Sequence, residues 1–98
     1  MKVLVKKCVD PHFVFVQNKT KLFEIRFNDC DYKEGDLLIQ RQYDPERDFY
    51  SGEVTFHRIG HVSNYEQKKG YVVFSLLNPD DKEITKMYYI AKEFENAN

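Results

Sequence analysis

The sequence is poor in the residues that mark specialised protein classes. It contains no tryptophan, three prolines, four glycines and two cysteines among 98 residues. So little proline and glycine excludes collagen-like and low-complexity chains. Cys8 and Cys30 form no CxxC pair and have no flanking cysteine and histidine set, which excludes the usual zinc patterns and a disulfide framework. We therefore predict two reduced, partly buried thiols, no metal site and no cofactor.

Long apolar runs and catalytic signatures are also missing. No apolar stretch approaches the roughly 20 residues that a helix needs to cross a bilayer, so we expect a cytoplasmic domain without a membrane partner. The P-loop and the GxGxxG, HExxH and GxSxG motifs do not occur. His57 and His61 are predicted to share one face of a strand about 13 Å apart, too far for both rings to bind one metal ion.

The charge of the chain is small but uneven. A net charge of −1 argues against a strongly electrostatic nucleic-acid binder. Residues 1–26 nevertheless hold six basic and two acidic side chains, a balance of +4 that leaves −5 for the remainder. Two interpretations stay open: the basic quarter forms one positive face, or its lysines only solvate strand edges and a helix end.

The hydrophobic pattern predicts one domain at residues 1–92, followed by a polar tail at 93–98. The fold class is α+β: a small barrel of five to six mainly antiparallel strands with one short N-terminal helix. Aromatic residues are plentiful enough for a packed core, as eight phenylalanines and seven tyrosines. The predicted helix is Pro11–Asn18, and the predicted strands are Lys2–Lys7, Leu22–Phe27, Leu37–Tyr43, Val54–Val62, Tyr71–Leu77 (buried on both faces) and Lys86–Ala91.

Residues capable of chemistry are concentrated at the second predicted strand. Apolar and charged residues alternate there, so Glu24 and Arg26 share one face, with side chains about 7 Å apart. Lys21 stands just before them. Such a group can bracket one small polar ligand, or it can be a surface ion pair worth about 0–1 kcal/mol.

The run KTKLFEIRFNDCDYKEGDLLI at Lys19–Ile39 resembles the ASCH family of the PUA-like superfamily. It is most similar to a branch of small bacterial and phage-borne domains of unknown function. Members of that branch carry Glu-x-Arg-x-Asn-Asp on a strand, Gly-Asp before the next strand and then a Tyr-x-Gly turn. The similarity covers roughly residues 9–77. Relatives often have glycine where this chain has Lys19, which puts the close approach of backbone to ligand in question.

The resemblance implies a PUA-like barrel with a cleft beside this strand, in a superfamily associated with RNA recognition. It places Lys21, Glu24 and Arg26 in the cleft, and Asn28 and Asp29 in the segment that follows. Arginine suits phosphate or a base edge, and glutamate can accept from an exocyclic amine. Single-stranded RNA is commonly read by aromatic stacking. The candidate stacking residues are Tyr32, Tyr50 and Tyr71.

The sequence, together with this resemblance, suggests three functions. The first is binding of RNA or a nucleotide-like ligand in the charged cleft without catalysis. The second is a small amidohydrolase acting on a modified cytidine-type nucleoside, with Lys21 and Glu24 as catalytic residues, as a related ASCH branch implies. That branch has threonine where this chain has Glu24, and a neighbouring carboxylate disfavours a nucleophilic lysine. The third is a protein-interaction accessory module, whose sign is an exposed apolar patch. The oligomeric state is not predicted.

Overall fold

The computed structural model describes residues 1–97, which form five strands and two helices. Neither helix in this part of the chain is long and apolar enough to cross a membrane. The elements in chain order are β1 (Val3–Cys8), α1 (His12–Gln17), β2 (Phe23–Phe27), β3 (Leu37–Asp44), β4 (Phe49–Ser63), β5 (Tyr71–Leu77) and α2 (Asp81–Ala97).

The strands form one curled mixed sheet, a half-barrel, in the order β1-β3-β4-β5-β2. β1 pairs in parallel with β3, and the other three pairs are antiparallel. The prediction of a small barrel-like α+β fold with mainly antiparallel strands is confirmed at this level. The order leaves β1 and β2 as the two edges of the sheet.

β1 and β2 are connected by side-chain contacts rather than by backbone hydrogen bonds. We call this line of contacts the seam. The Lys2 ammonium donates to two carbonyls in the loop after β2, at 2.9 and 2.8 Å. Lys6 reaches the carboxylate of Asp29 at 3.3 Å, and Arg26 Nη2 donates to the carbonyl of Lys7 at 2.9 Å. Part of the N-terminal basic excess therefore joins the edges of the sheet.

Hydrophobic residues are buried on both faces of the sheet. On the face that we call inner, α1 contributes Val16 to the packing, and on the outer face α2 contributes Met87. β3 contributes side chains to both cores, because successive side chains of a strand point to opposite faces of the sheet. The inner core contains Val16, Tyr32, Leu38, Ile59, Val72, Phe74 and Leu76, and the outer core contains Leu37, Ile39 and Met87.

The predicted last strand, Lys86–Ala91, is wrong, because this segment lies inside α2. The helix begins with a reciprocal cap in which the Glu83 amide donates to Asp80 Oδ1 at 2.8 Å and the Asp80 amide donates to Glu83 Oε1 at 2.9 Å. Met87 is fully buried against the outer face, with Ile90 one helical turn further on. Most of the segment predicted as a tail is helical up to Ala97, and Asn98 lies outside the described residues.

Two expectations about burial along the strands are also wrong. β5 has the predicted bounds, but it is fully buried on one face only, since Val73 and Ser75 are half-buried. The pairing of β4 with β5 is irregular between Ile59 and Val62. His57, before this irregularity, is buried, whereas His61, within it, is exposed, so the two histidines do not share one face.

Candidate functional site

The centre of the candidate site is the carboxylate of Glu24, held between two cations. Its Oε1 lies 3.2 Å from Lys21 Nζ, and its Oε2 lies 3.2 Å from Arg26 Nε. The alternation predicted for β2 is present, but its charged side faces inward: Glu24 is only 4% exposed, and the neighbouring Phe23 and Ile25 are about half exposed. The trio is therefore not a solvent-exposed ion pair.

Arg26 is fixed by contacts to both edges of the sheet. Its Nε bonds to Glu24 on the same strand, and its Nη2 donates to the carbonyl of Lys7 on β1. These two hydrogen bonds fix the orientation of the planar guanidinium group. An arginine carries five N–H donors, so further donors remain for a ligand.

Lys21 is positioned by the connection between α1 and β2. Its amide donates to the carbonyl of Phe15 at 2.9 Å, and Lys19 before it has a positive φ of 64°. This left-handed conformation is the one that glycine adopts most easily. The Lys21 ammonium lies 5.4 Å from the centre of the Phe23 ring.

These three residues line a cleft of about 640 Å³. Its remaining lining includes the apolar side chains of Val9, Phe15, Phe23 and Ile25. A concave site with apolar walls and a few convergent polar groups is typical of small-molecule recognition. Lys21, Glu24 and Arg26 therefore line one hollow, but the predicted Tyr32 and Tyr50 are not among its lining residues. Phe15 and Phe23 supply aromatic surface that the sequence interpretation did not select.

Cys8 also borders the cleft, but its environment makes it unreactive. The side chain is 3% exposed. Burial, with a smaller contribution from the charge of Glu24, raises the pKa of the thiol from 9.0 to about 11. The thiolate is the reactive form of cysteine, so this residue is not a nucleophile near neutral pH.

Asn28 and Asp29 shape the turn after β2 and lie beside the seam. Asn28 Oδ1 accepts a bond from the amide of Tyr32 at 2.9 Å. The Asp29 carboxylate bonds to Lys6, and this bond lowers the pKa of Asp29. The Gly-Asp turn that follows is also structural, because Asp36 Oδ1 accepts the amide of Lys2 at 2.9 Å.

The three candidate stacking tyrosines lie in three different environments. Tyr32 is 3% exposed in the inner core, 4.8 Å from the ring of Phe74, which leaves no free ring face for a base. Burial raises the pKa of Tyr32. Tyr71, at the start of β5, lies edge to face with Phe27 of the neighbouring β2, with the ring centres 5.6 Å apart. Tyr50 borders a second hollow that Arg26 also lines.

His57 is a buried ionisable residue that sequence analysis left without a role. Its Nε2 lies 2.9 Å from Thr55 Oγ1. Burial, assisted by the charge of Lys19 and opposed by that of Glu24, lowers the pKa of His57 from 6.5 to about 4. The ring is therefore neutral at physiological pH, within the electrostatic reach of the candidate site.

Acidification from pH 6.5 to pH 4 is expected to destabilise the protein through His57. In this window the unfolded chain binds a proton at this histidine and the folded chain does not. The contribution of neutral His57 to stability is fully present above 6.5, the pKa of this histidine in the unfolded chain. It is lost as the pH falls to about 4, the pKa in the folded protein. At 1.36 kcal/mol per pKa unit, the loss is about 3 kcal/mol. Urea unfolding at several pH values measures it.

His57→Gln is the control for this pH dependence. Glutamine does not ionise and can still bond to Thr55. The variant is expected to have a flatter stability profile between pH 4 and 6.5 than the original protein. Parallel profiles for the two proteins would contradict the assignment.

Sequence analysis also missed two basic residues near the site. Lys7 of β1 and Arg41 of β3 are direct partners in the parallel register. Two positions 34 residues apart become neighbours only through that register. The signal present in the sequence is that both are basic residues next to strongly apolar strand segments.

A protein-family model matches most of the chain. Residues 5–76 match the model of a family described as a domain of unknown function, DUF3850. This range includes Lys7, Lys21, Glu24, Arg26 and Arg41. No curated protein matches the chain.

Proposed function

Because the chain belongs to the DUF3850 family, whose function is unknown, we propose a function from its site: the cleft binds a nucleotide unit, free or within single-stranded RNA, without catalysing a reaction. The observation that carries this proposal is the arrangement of Lys21, Glu24 and Arg26 in one hollow with aromatic walls. As a finer description of the fold, we propose a PUA-like barrel of the ASCH type. The curled sheet and the glycine-like backbone at Lys19 support it.

The polar groups of the cleft match the edges of a nucleobase. The Glu24 carboxylate can accept a hydrogen bond from an exocyclic amine, and Arg26 can donate to a ring nitrogen or carbonyl oxygen. These groups lie within 3.2 Å of each other, so one planar ligand can contact both. Phe15 and Phe23 provide apolar contact for the face of the base.

The charge of the cleft favours an anionic ligand. Two cations surround one carboxylate, which leaves the trio with a net charge of +1. The side chains are largely buried, at 17% exposure for Lys21 and 21% for Arg26. Interactions with a ligand in this environment are screened less by salt than those on an open surface.

Binding without catalysis is the better interpretation of the same contacts. The Lys21 amine is engaged in an ion pair with Glu24, so it is not free to act as a nucleophile. The thiol of Cys8 stays protonated because its pKa is raised to about 11. Incubation with N4-acetylcytidine is therefore expected to release no acetate, and release would favour the amidohydrolase.

The proposal predicts that Lys21→Gln and Arg26→Lys each weaken binding of nucleotides or short single-stranded RNA. Lys21→Gln leaves Arg26 as the cationic partner of Glu24, and Arg26→Lys keeps a positive charge at that position, which protects the fold. Loss of a charged hydrogen bond predicts a fall in affinity of about 10- to 100-fold. Fluorescence anisotropy with labelled RNA and calorimetry with nucleotides measure the affinities.

Lys68→Gln and Arg47→Lys are the matched controls, because both side chains are exposed and distant in sequence from the cleft-forming strand. They are expected to bind as the original protein does. If the cleft variants also bind as the original protein does, or if neither RNA nor nucleotides bind at all, the proposed function is wrong.

A further inference from the structure

A second hollow lies next to the cleft and has an unusual concentration of positive charge. Its volume is about 390 Å³. Lys7 and Arg26 border both the cleft and this hollow. We call it the basic hollow. Its charged and aromatic lining residues are Lys6, Lys7, Arg26, Arg41, Tyr50 and Phe94.

Lys7 and Arg41 are placed side by side at a cost to stability. They are direct partners in the parallel pairing of β1 with β3, and their side chains therefore project from the same face of the sheet. Like charges at adjacent strand positions destabilise a sheet. An anion between them would remove this repulsion.

Within the described residues, neither of these two cations has a salt bridge to a carboxylate. Each instead lies over an aromatic ring: Lys7 Nζ is 4.3 Å from the centre of the Tyr43 ring, and the Arg41 guanidinium carbon is 3.7 Å from that of Tyr50. Aromatic contact holds a cation in position but leaves its charge unneutralised. The two side chains are thus oriented while their charge remains available.

We propose that the basic hollow is a phosphate site. This inference rests on the proposed function, because it assigns the phosphate of the same nucleotide unit whose base enters the cleft. Arg26 contributes to both cavities, with Nε toward Glu24 and Nη2 at the Lys7 carbonyl. Arginine and lysine donors around one concave surface are the groups that proteins use to bind phosphate. The phosphate is either the monoester of a free nucleotide or a diester of RNA.

The test compares ligands that differ only in phosphate. The four ribonucleosides, their 5′-monophosphates, dinucleoside monophosphates and inorganic phosphate are titrated by calorimetry. We expect a monophosphate or a dinucleoside monophosphate to bind at least about 10-fold more tightly than its nucleoside, as charged hydrogen bonds predict. The tighter of the two identifies the source of the phosphate.

Lys7→Gln and Arg41→Gln are each expected to abolish most of this preference. Arg41 does not line the cleft, so Arg41→Gln is also expected to leave nucleoside affinity unchanged. Lys68→Gln and Lys82→Gln, which remove the same charge from exposed positions, are expected to keep it. Thermal unfolding confirms that each variant is folded. Equal binding of nucleoside and phosphorylated ligand by the original protein overturns the phosphate site, as does a preference that survives in both hollow variants.

The two proposals fail in different ways. One outcome is that Lys21→Gln weakens the binding of nucleosides and of nucleotides equally, while the phosphate group of the nucleotide adds no affinity. The nucleotide cleft then stands and the phosphate site is overturned. The opposite outcome is that inorganic phosphate binds and Lys7→Gln abolishes this binding, while the nucleoside part of a nucleotide adds no affinity. The phosphate site then stands and the proposed function is wrong.

Discussion

Replacement of Glu24 with alanine is expected to lower the free energy of unfolding by about 3–5 kcal/mol. The carboxylate is 4% exposed and is shared by two largely buried cations. Removal of the carboxylate leaves Lys21 and Arg26 close together without a counter-ion. Both side chains are largely buried, so water cannot fully replace the carboxylate. Chemical denaturation, monitored by circular dichroism, measures the change.

Two controls separate this effect from the loss of an ordinary ion pair. Arg47→Ala breaks an exposed pair with Asp44 and is expected to cost less than about 1 kcal/mol. Glu24→Gln keeps the shape of the side chain but removes its charge, so it isolates the electrostatic part. A loss below 1 kcal/mol for Glu24→Ala would mean that the trio is solvated like a surface pair.

Truncation of Met87 is expected to have an effect of similar size. The side chain is fully buried between α2 and the outer face of the sheet, against Leu37 and Ile39. Met87→Ala creates a cavity there, at a cost of about 2–5 kcal/mol. Met87→Leu preserves most of the volume and is expected to cost less than about 1.5 kcal/mol. Denaturant unfolding measures both changes.

A pair of neighbouring substitutions tests the helical register directly. In α2, Ile90 faces the sheet and Tyr89 is 65% exposed. Ile90→Ala should therefore destabilise the protein more than Tyr89→Ala. The reverse order fits a strand, in which Tyr89 would share the face of Met87, and would show that the helix is wrongly placed.

The C-terminal segment shows why local patterns misled the sequence analysis. Tyr88, Tyr89 and Ile90 favour strand by propensity, whereas in the structure a helix begins at the cap formed by Asp80 and Glu83. The outer face of β3 needs a covering element, and that need arises from the whole sheet. By contrast, β5 was predicted with its observed bounds because turn residues delimit an apolar run.

The candidate site could be predicted in part, because its three charged residues lie within six positions of one segment. Alternation separates Glu24 from its apolar neighbours, but it does not say which face is buried. Tyr32 lies between strands, where no periodicity predicts whether a ring points inward or outward. The neighbourhood of Lys7 and Arg41 depends on a parallel register between distant segments, which no local pattern contains.

The seam links ligand binding to the stability of the whole domain. Arg26 joins the two sheet edges and also borders both cavities. A ligand that bonds to this guanidinium would therefore restrain the contact between β1 and β2. Since such a ligand favours the native over the denatured chain, occupancy is thermodynamically linked to melting temperature.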